Sequence, residues 1–433
     1  MDRLTAIASL ILDEAKKQGA DAAQCRVSES EKKEFNVDGG RFSLMRTLFD
    51  RSVSVTVLRD KRKGSVRINR FDDDAVKAAV GDCLAACESA QPDDAWEFCA
   101  EACDEHFTDG APECDTEALF MRTKELLKDV SARHPKIMLE QVICDHNGVK
   151  CVYMNSYGVK YTTHGGSYNI SLMYSAHEGE KGTSFYGTEV SLKTLDKPLI
   201  DCALIEREFT QIEAQLGAGP LEGKFTGTVL LAPMASLEIV VGTVLSNFVS
   251  DLSLIDATSI WKDKLNAQVA DERFTLAITP HAPYVVSGSE YTGEGYPAKD
   301  FELIENGVLK SFQLSQYGAN KTKGVRAGSD SWEISITPGE KTLDEMIKGI
   351  EKGVLVMRFS GGQPSAGGEF SGVAKNSFLI ENGRLAGALS ETMISGSVPE
   401  MLTHIRDIGS EVLCNGSMSV PYISFDGVTI SGK

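Results

Sequence analysis

Apolar residues at Leu4, Ile7, Leu10 and Ile11 recur at helical spacing and predict an opening helix that stops at Gly19. Alternation of period two then predicts strands over Ala23–Val27 and Ser52–Leu58, with Val53, Val55 and Val57 on one face. The basic run Arg59–Gly64 reads as a hairpin tip leading to Ser65–Ile68. Asp72, Asp73 and Asp74 place negative charge at the start of a helix through Val76, Val80, Cys83, Leu84 and Cys87. The acidic stretch Gln91–Asp115 has no clear period and predicts a surface excursion. Thr116 suits the N-cap of a helix running to Arg133, which Pro135 ends. Strands follow at Ile137–Asp145, Val149–Asn155 and Val159–Tyr174, and Asn147-Gly148 predicts a tight hairpin between the first two. A helix over Ala203–Leu216 ends in a glycine-rich segment, Gly217–Gly223, which marks a domain boundary.

Past that boundary an apolar strand, Thr228–Ala232, meets Pro233 and then a helix. Met234, Leu237, Val241, Val244, Leu245 and Phe248 give the helix one apolar stripe, and Pro233 suits its first turn. The remainder is strand-rich. Phe301–Leu309 and Ser377–Leu385 repeat one form, each a hydrophobic strand turned through Asn-Gly. Short helices are expected at Leu343–Lys352 and Pro399–Ile408, and a strand pair around Asp426-Gly427 closes the chain. Strands in runs with separate helices predict an α+β fold. Residues 1–222 form an N-terminal domain of helices and antiparallel sheet. Residues 223–433 form a β-rich domain, a sheet or partial barrel.

The length of 433 residues suffices for two or three cores, and the net charge of −18 disfavours a nucleic-acid partner. No apolar run is long enough to span a membrane. Leu4–Leu12 reads as an amphipathic helix rather than a targeting segment. The ten cysteines are scattered without a disulfide framework, which predicts a reducing, cytoplasmic setting.

Candidate chemistry is sparse. No two of the seven histidines stand at metal-binding helical spacing. His177-Glu178 opens like a zinc-peptidase motif, but position 181 is lysine. Cys83 and Cys87 lie on a helix, where cysteine acts as a small apolar filler. Cys99 and Cys103, with His106, are the one alternative set of metal ligands. No Gly-x-Ser-x-Gly elbow exists. The loop Phe359–Gly372 is glycine-rich without a closing Gly-Lys-Ser/Thr, so it reads as a backbone that another chain can approach closely.

Several segments in order carry a resemblance: Ile304–Leu309, Tyr317–Lys321, Gly353–Val356, Gly368-Glu-Phe-Ser371, Phe378–Gly383, Ile394–Ser397 and Val428–Gly432. Together with Gly19-Ala-Asp21 and Asn155–Gly158, they make most of the chain similar to the TldD/PmbA family. The resemblance implies a two-domain α+β protein that assembles as a dimer around a cavity and takes part in cytoplasmic peptide hydrolysis. In the TldD branch a His-Glu-x-x-x-His helix and a later cysteine hold the metal, expected to be zinc. Here Leu237 and Gly242 stand where the histidines belong, only Glu238 matches, and Cys414 lies in the region of the third ligand. That pattern resembles the PmbA (TldE) branch. It implies no metal or cofactor in this chain, no assigned catalytic residue, and a metal-bearing TldD-like partner or a second copy of the chain itself. Gly361, Gly362, Gly367, Gly368, Glu369 and Ser371 are the expected peptide-facing residues, although Gly367 replaces the family's usual threonine. A non-enzymatic homodimeric peptide binder and a peptidase with relocated ligands are the alternative readings.

Overall fold

A computed structural model describes residues 1–390 and 392–432. Two sheets organise the chain. The first contains β1 (Ala22–Asp38), β2 (Arg41–Arg59), β3 (Arg62–Ile68), β4 (Cys103–Gly110), β5 (Ile137–Asn155), β6 (Val159–Glu178), the short return β7 (Lys181–Gly182) and β8 (Tyr186–Leu192). The lateral order is β3-β2-β1-β5-β6. The far edge of β6 is shared, with β4 parallel along Val159–Gly166 and β8 antiparallel along Tyr168–Tyr174.

Four helices, α1 (Asp2–Lys17), α2 (Asp73–Ser89), α3 (Thr116–Arg133) and α4 (Ile205–Glu213), pack on one face of this sheet. Side chains alternate along a strand, so parity assigns the face. Cys25, Val27, Phe35 and Val37 of β1 point toward the helices, as do Val142, Cys144 and Val152 of β5. The opposite face carries Gln24, Arg26, Cys151 and Tyr153, which line a cleft against loops of the second sheet.

Several sequence expectations change. β1 and β2 run far beyond their apolar cores, because Glu29–Asp38 and Arg41–Ser52 pair along their full length. Their polar stretch is held by ion pairs: Lys32 lies 3.2 Å from Glu34 on its own strand and 3.0 Å from Asp145 of β5, and Arg46 of β2 lies 2.8 Å from Glu34. The expected hairpin at Asn147-Gly148 is absent. β5 continues straight through it, with Lys32 of β1 on one side and Ser167 and Gly166 of β6 on the other. A Cβ at Gly148 would meet the Pro112 carbonyl at 3.2 Å, a tight contact in a straight strand. Asp115, not Thr116, caps α3, its carboxylate accepting from Ala118 N–H.

Gln91–Asp115 is not a surface excursion throughout. It contributes β4, and Ala95, Phe98 and Cys99 are buried. This segment straps the two halves together. Trp96 stacks on Tyr317 at 3.8 Å, Lys63 lies over the same indole at 3.7 Å, and Asp93 pairs with Lys321 at 3.0 Å.

Among the described residues the second sheet has fourteen strands of mixed direction. Its spine is Met418–Ser431, which pairs with Lys224–Leu231, Ile334–Ile336, Thr392–Ser397 and Ile405–Cys414. The strand pair expected around Asp426-Gly427 is therefore one strand. Gly427, at φ +83°, sits where the register against Lys224–Leu231 slips, as in a glycine bulge. The Asn306-Gly307 and Asn382-Gly383 turns form as expected, with positive φ at all four residues. The helices at 343 and 398 are shorter than expected, ending at Lys348 and Thr403, and strand resumes at Ile405. A shared core joins the halves: Tyr174, Phe209 and Ile212 pack with Leu230, Leu355 and Tyr422 in one apolar cluster.

Candidate functional site

The strand Lys224–Leu231 delivers the chain to Pro233 at the first turn of the central helix. Ile239, Val240, Val244 and Phe248 bury one side of that helix against Val229, Leu231, Val354 and Phe425. The helix is not α throughout. Leu237–Val241 and Val244–Phe248 are π-helical, and Gly242 N–H donates to the Leu237 carbonyl five residues back. A π turn brings positions i and i+5 onto one face, and such turns are frequent at functional sites. The apolar spacing of three and four gave no sign of it. The only sequence hint is that the two family ligand positions, 237 and 242, stand five apart.

Leu237 and Gly242 supply no donor atom at those positions. Glu238, between them in sequence, is engaged elsewhere: Phe359 N–H donates to its Oε2 at 2.8 Å. One flank of Glu238 stays exposed, yet burial among the surrounding atoms pushes its carboxyl above the ordinary value, with Phe359 N–H and the Arg358 cation pulling the other way. Cys414 ends its strand near Tyr284, and burial pushes its thiol up. Among the described residues no three His, Cys, Asp or Glu side chains converge to hold a metal. The residues present do not fit the family's zinc. The alternative set fares no better. Cys99 is buried in a tyrosine cluster, while His106 hydrogen-bonds Thr162 at 2.7 Å. Cys83 and Cys87 donate to the carbonyls of Val55 and Val57, as helix cysteines packed on a sheet.

Phe359 belongs to a hairpin, Arg358–Gly361 with Glu369–Lys375, whose tip is the glycine loop. The structure thus brings Glu238 and the glycine loop together along one helix. Asn247 of that helix donates to the Ser365 carbonyl at 2.9 Å and reaches that of Pro364. Gly361, Gly362, Glu369 and Ser371 are exposed, Gly367 is half-buried and Gly368 is buried. These glycines differ in purpose. Gly368, at φ +90°, would drive a Cβ to 2.8 Å from both Phe248 and Pro399. Gly361 lies against Gly372 to let the Phe359 ring cross the hairpin, whereas Gly362 faces open space. Ser365 donates to the Glu369 carboxylate, which holds that exposed acid below its usual range. The strand Arg358–Gly361 has a sheet partner on one side only among the described residues.

Comparison with known proteins follows this geometry. Residues 223–432 match the PmbA/TldA metallopeptidase C-terminal domain, and residues 23–87 match PmbA/TldA metallopeptidase domain 1. The metalloprotease PmbA homolog of Haemophilus influenzae is 23% identical over 95% of this chain and 90% of its own length. The metalloprotease PmbA of Escherichia coli O157:H7 is 22% identical over 98% of this chain and 95% of its own. The crystal structure of TldE from Thermococcus kodakarensis superposes with a TM-score of 0.85 at 21% identity, covering 98% of this chain and 100% of that one. The ordered C-terminal segments, the strand-to-helix turn at Pro233 and these matches together place the chain in the TldD/PmbA family.

Proposed function

We propose that this chain is a PmbA/TldE-like subunit of a cytoplasmic peptide-processing complex. It binds no catalytic metal and holds an extended peptide for a TldD-like partner that carries the zinc. The observation that carries this reading is the engagement of Glu238. On a helix whose ligand positions are Leu237 and Gly242, the one retained acidic residue accepts the edge N–H of Phe359. Without a metal-bound water nearby it has no proton to remove as a general base. It serves instead to position the hairpin. Beyond Phe359, whose N–H Glu238 takes, the outer edge of Arg358–Gly361 has no strand beside it among the described residues and suits addition of an extended peptide, with Gly361, Gly362, Glu369 and Ser371 along its approach.

A partner is supported by β2. β3 pairs only with Val53–Arg59, so the outer side of Arg41–Ser52 has no strand beside it among the described residues. This edge exposes Phe42, Leu44, Leu48, Met45 (66%) and Phe49 (75%). A long, apolar, open edge is a liability for an isolated chain and a template for association.

Affinity purification of the chain from its native source tests the reading. Recovery of a His-Glu-x-x-x-His-bearing subunit is the expected result. A homodimer that binds peptide without such a subunit favours the non-enzymatic binder, and a monomer that binds neither overturns both.

A further inference from the structure

The uncovered face of the first sheet meets the loops 287–293 and 330–333 of the second across a cleft of about 700 Å³. That is the size of a site for a small organic ligand or a few peptide residues. Arg26 stands on its floor. Its Nε donates to the Cys151 thiol at 3.2 Å, and its guanidinium lies over the Tyr291 ring, 5.3 Å from the centroid. The group is exposed to the cleft, and among the described residues no carboxylate stands within ion-pair distance of it.

The surroundings fix this cation in place. Tyr291 stacks on Tyr161 at 4.5 Å. Gln24 donates to the Gly293 carbonyl at 3.0 Å and accepts from Tyr153 at 2.8 Å. A guanidinium pinned through Nε and held over a fixed ring presents its remaining N–H groups as a fork, the geometry that matches a carboxylate.

Other acids lining the cleft already have partners. Glu290 faces His281 at 3.2 Å, and Asp330 accepts from Gly293 N–H at 2.7 Å. Glu333 and Ser331 do not. Glu333 Oε2 and Ser331 Oγ are shut off from water with no hydrogen-bond partner, and Ser331 is only 6% exposed. An exposed cation without a counter-ion in the cleft suits a ligand that carries a carboxylate, and the acids around it disfavour the greater charge of a phosphate.

We infer that this cleft binds the C-terminal carboxylate of a short peptide through Arg26. The inference rests on the peptide-binding reading above but assigns a separate subsite, on the first sheet rather than beside Glu238.

The test is calorimetric titration of the full chain with a free-acid tripeptide, Ala-Phe-Ala, and with its C-terminal amide. Amidation is expected to weaken binding about ten- to a hundredfold, as is Arg26→Gln with the free acid, the size expected for a hydrogen bond to a charged group. The amide should bind the wild type and Arg26→Gln alike, because the lost partner is the same. Arg26→Lys should recover part of the loss. Thermal melts of both variants exclude misfolding. Free-acid binding unchanged in Arg26→Gln, or an amidation penalty that persists in it, overturns the subsite while leaving peptide binding intact. No binding of either peptide by the wild type overturns both.

Discussion

Glu208 shows how one residue can set a bulk property. It is buried between α4 and β8, where Thr188 donates to its carboxylate at 2.5 Å and Tyr186 at 3.5 Å. Burial outweighs these donors and pushes its pKa up to about 7 from 4.5. Between those values the folded chain keeps a proton that the unfolded chain has released. Stability therefore falls as pH rises from about 4.5 to about 7, and this contribution is flat above, with a total on the order of 3 kcal/mol. Glu208→Gln is expected to remove that part of the slope, which urea denaturation of both proteins at about pH 5 and about pH 8 would resolve. Gly368 and Gly362 offer a sharper contrast on one loop. Gly368→Ala meets both a positive φ and two side chains, and is expected to cost about 2 to 4 kcal/mol. Gly362→Ala meets open space and should stay within about 0.5 kcal/mol. Equal losses in denaturation would show that the loop is not packed as described.

Elements with a strong apolar period were legible in the sequence, because α1, α2, α3 and the two C-terminal Asn-Gly hairpins depend on local pattern. Asn147-Gly148 misled for a definite reason. Strands flank β5 on both sides, so ladder pairing overrode the local turn signal. The extensions of β1 and β2 were hidden for two reasons: Glu29–Glu34 is wholly polar, its charges meeting Asp145 and Arg46 on neighbouring strands, and the apolar residues of Arg41–Ser52 follow no period of two. The π turns of the central helix leave no period in composition. The strap through Trp96 was hidden because its burial comes from contacts across the whole chain. At this scale the open edge of β2 makes its own prediction. Phe49→Glu and Leu48→Lys place charge on exposed positions, so folding stability should change by no more than about 0.5 kcal/mol. Assembly with a partner or a second copy should be lost. Light scattering after size exclusion reads the outcome, and an unchanged oligomer would remove this edge from the interface.

For the whole molecule, the fold and the chemistry separate. The α+β architecture is that of the TldD/PmbA metallopeptidase family. The residues at 237 and 242 do not complete its metal site. Glu238 and the hairpin that carries the glycine loop lie side by side, joined by a hydrogen bond from Phe359 N–H. The account stands or falls on whether this chain holds the catalytic ion. Elemental analysis of the purified chain, paired with a peptide-cleavage assay with and without chelator, measures this directly. The account predicts no stoichiometric zinc and no chelator-sensitive cleavage by the chain alone. Zinc at one equivalent, with activity abolished by chelation and restored by the metal, would contradict it.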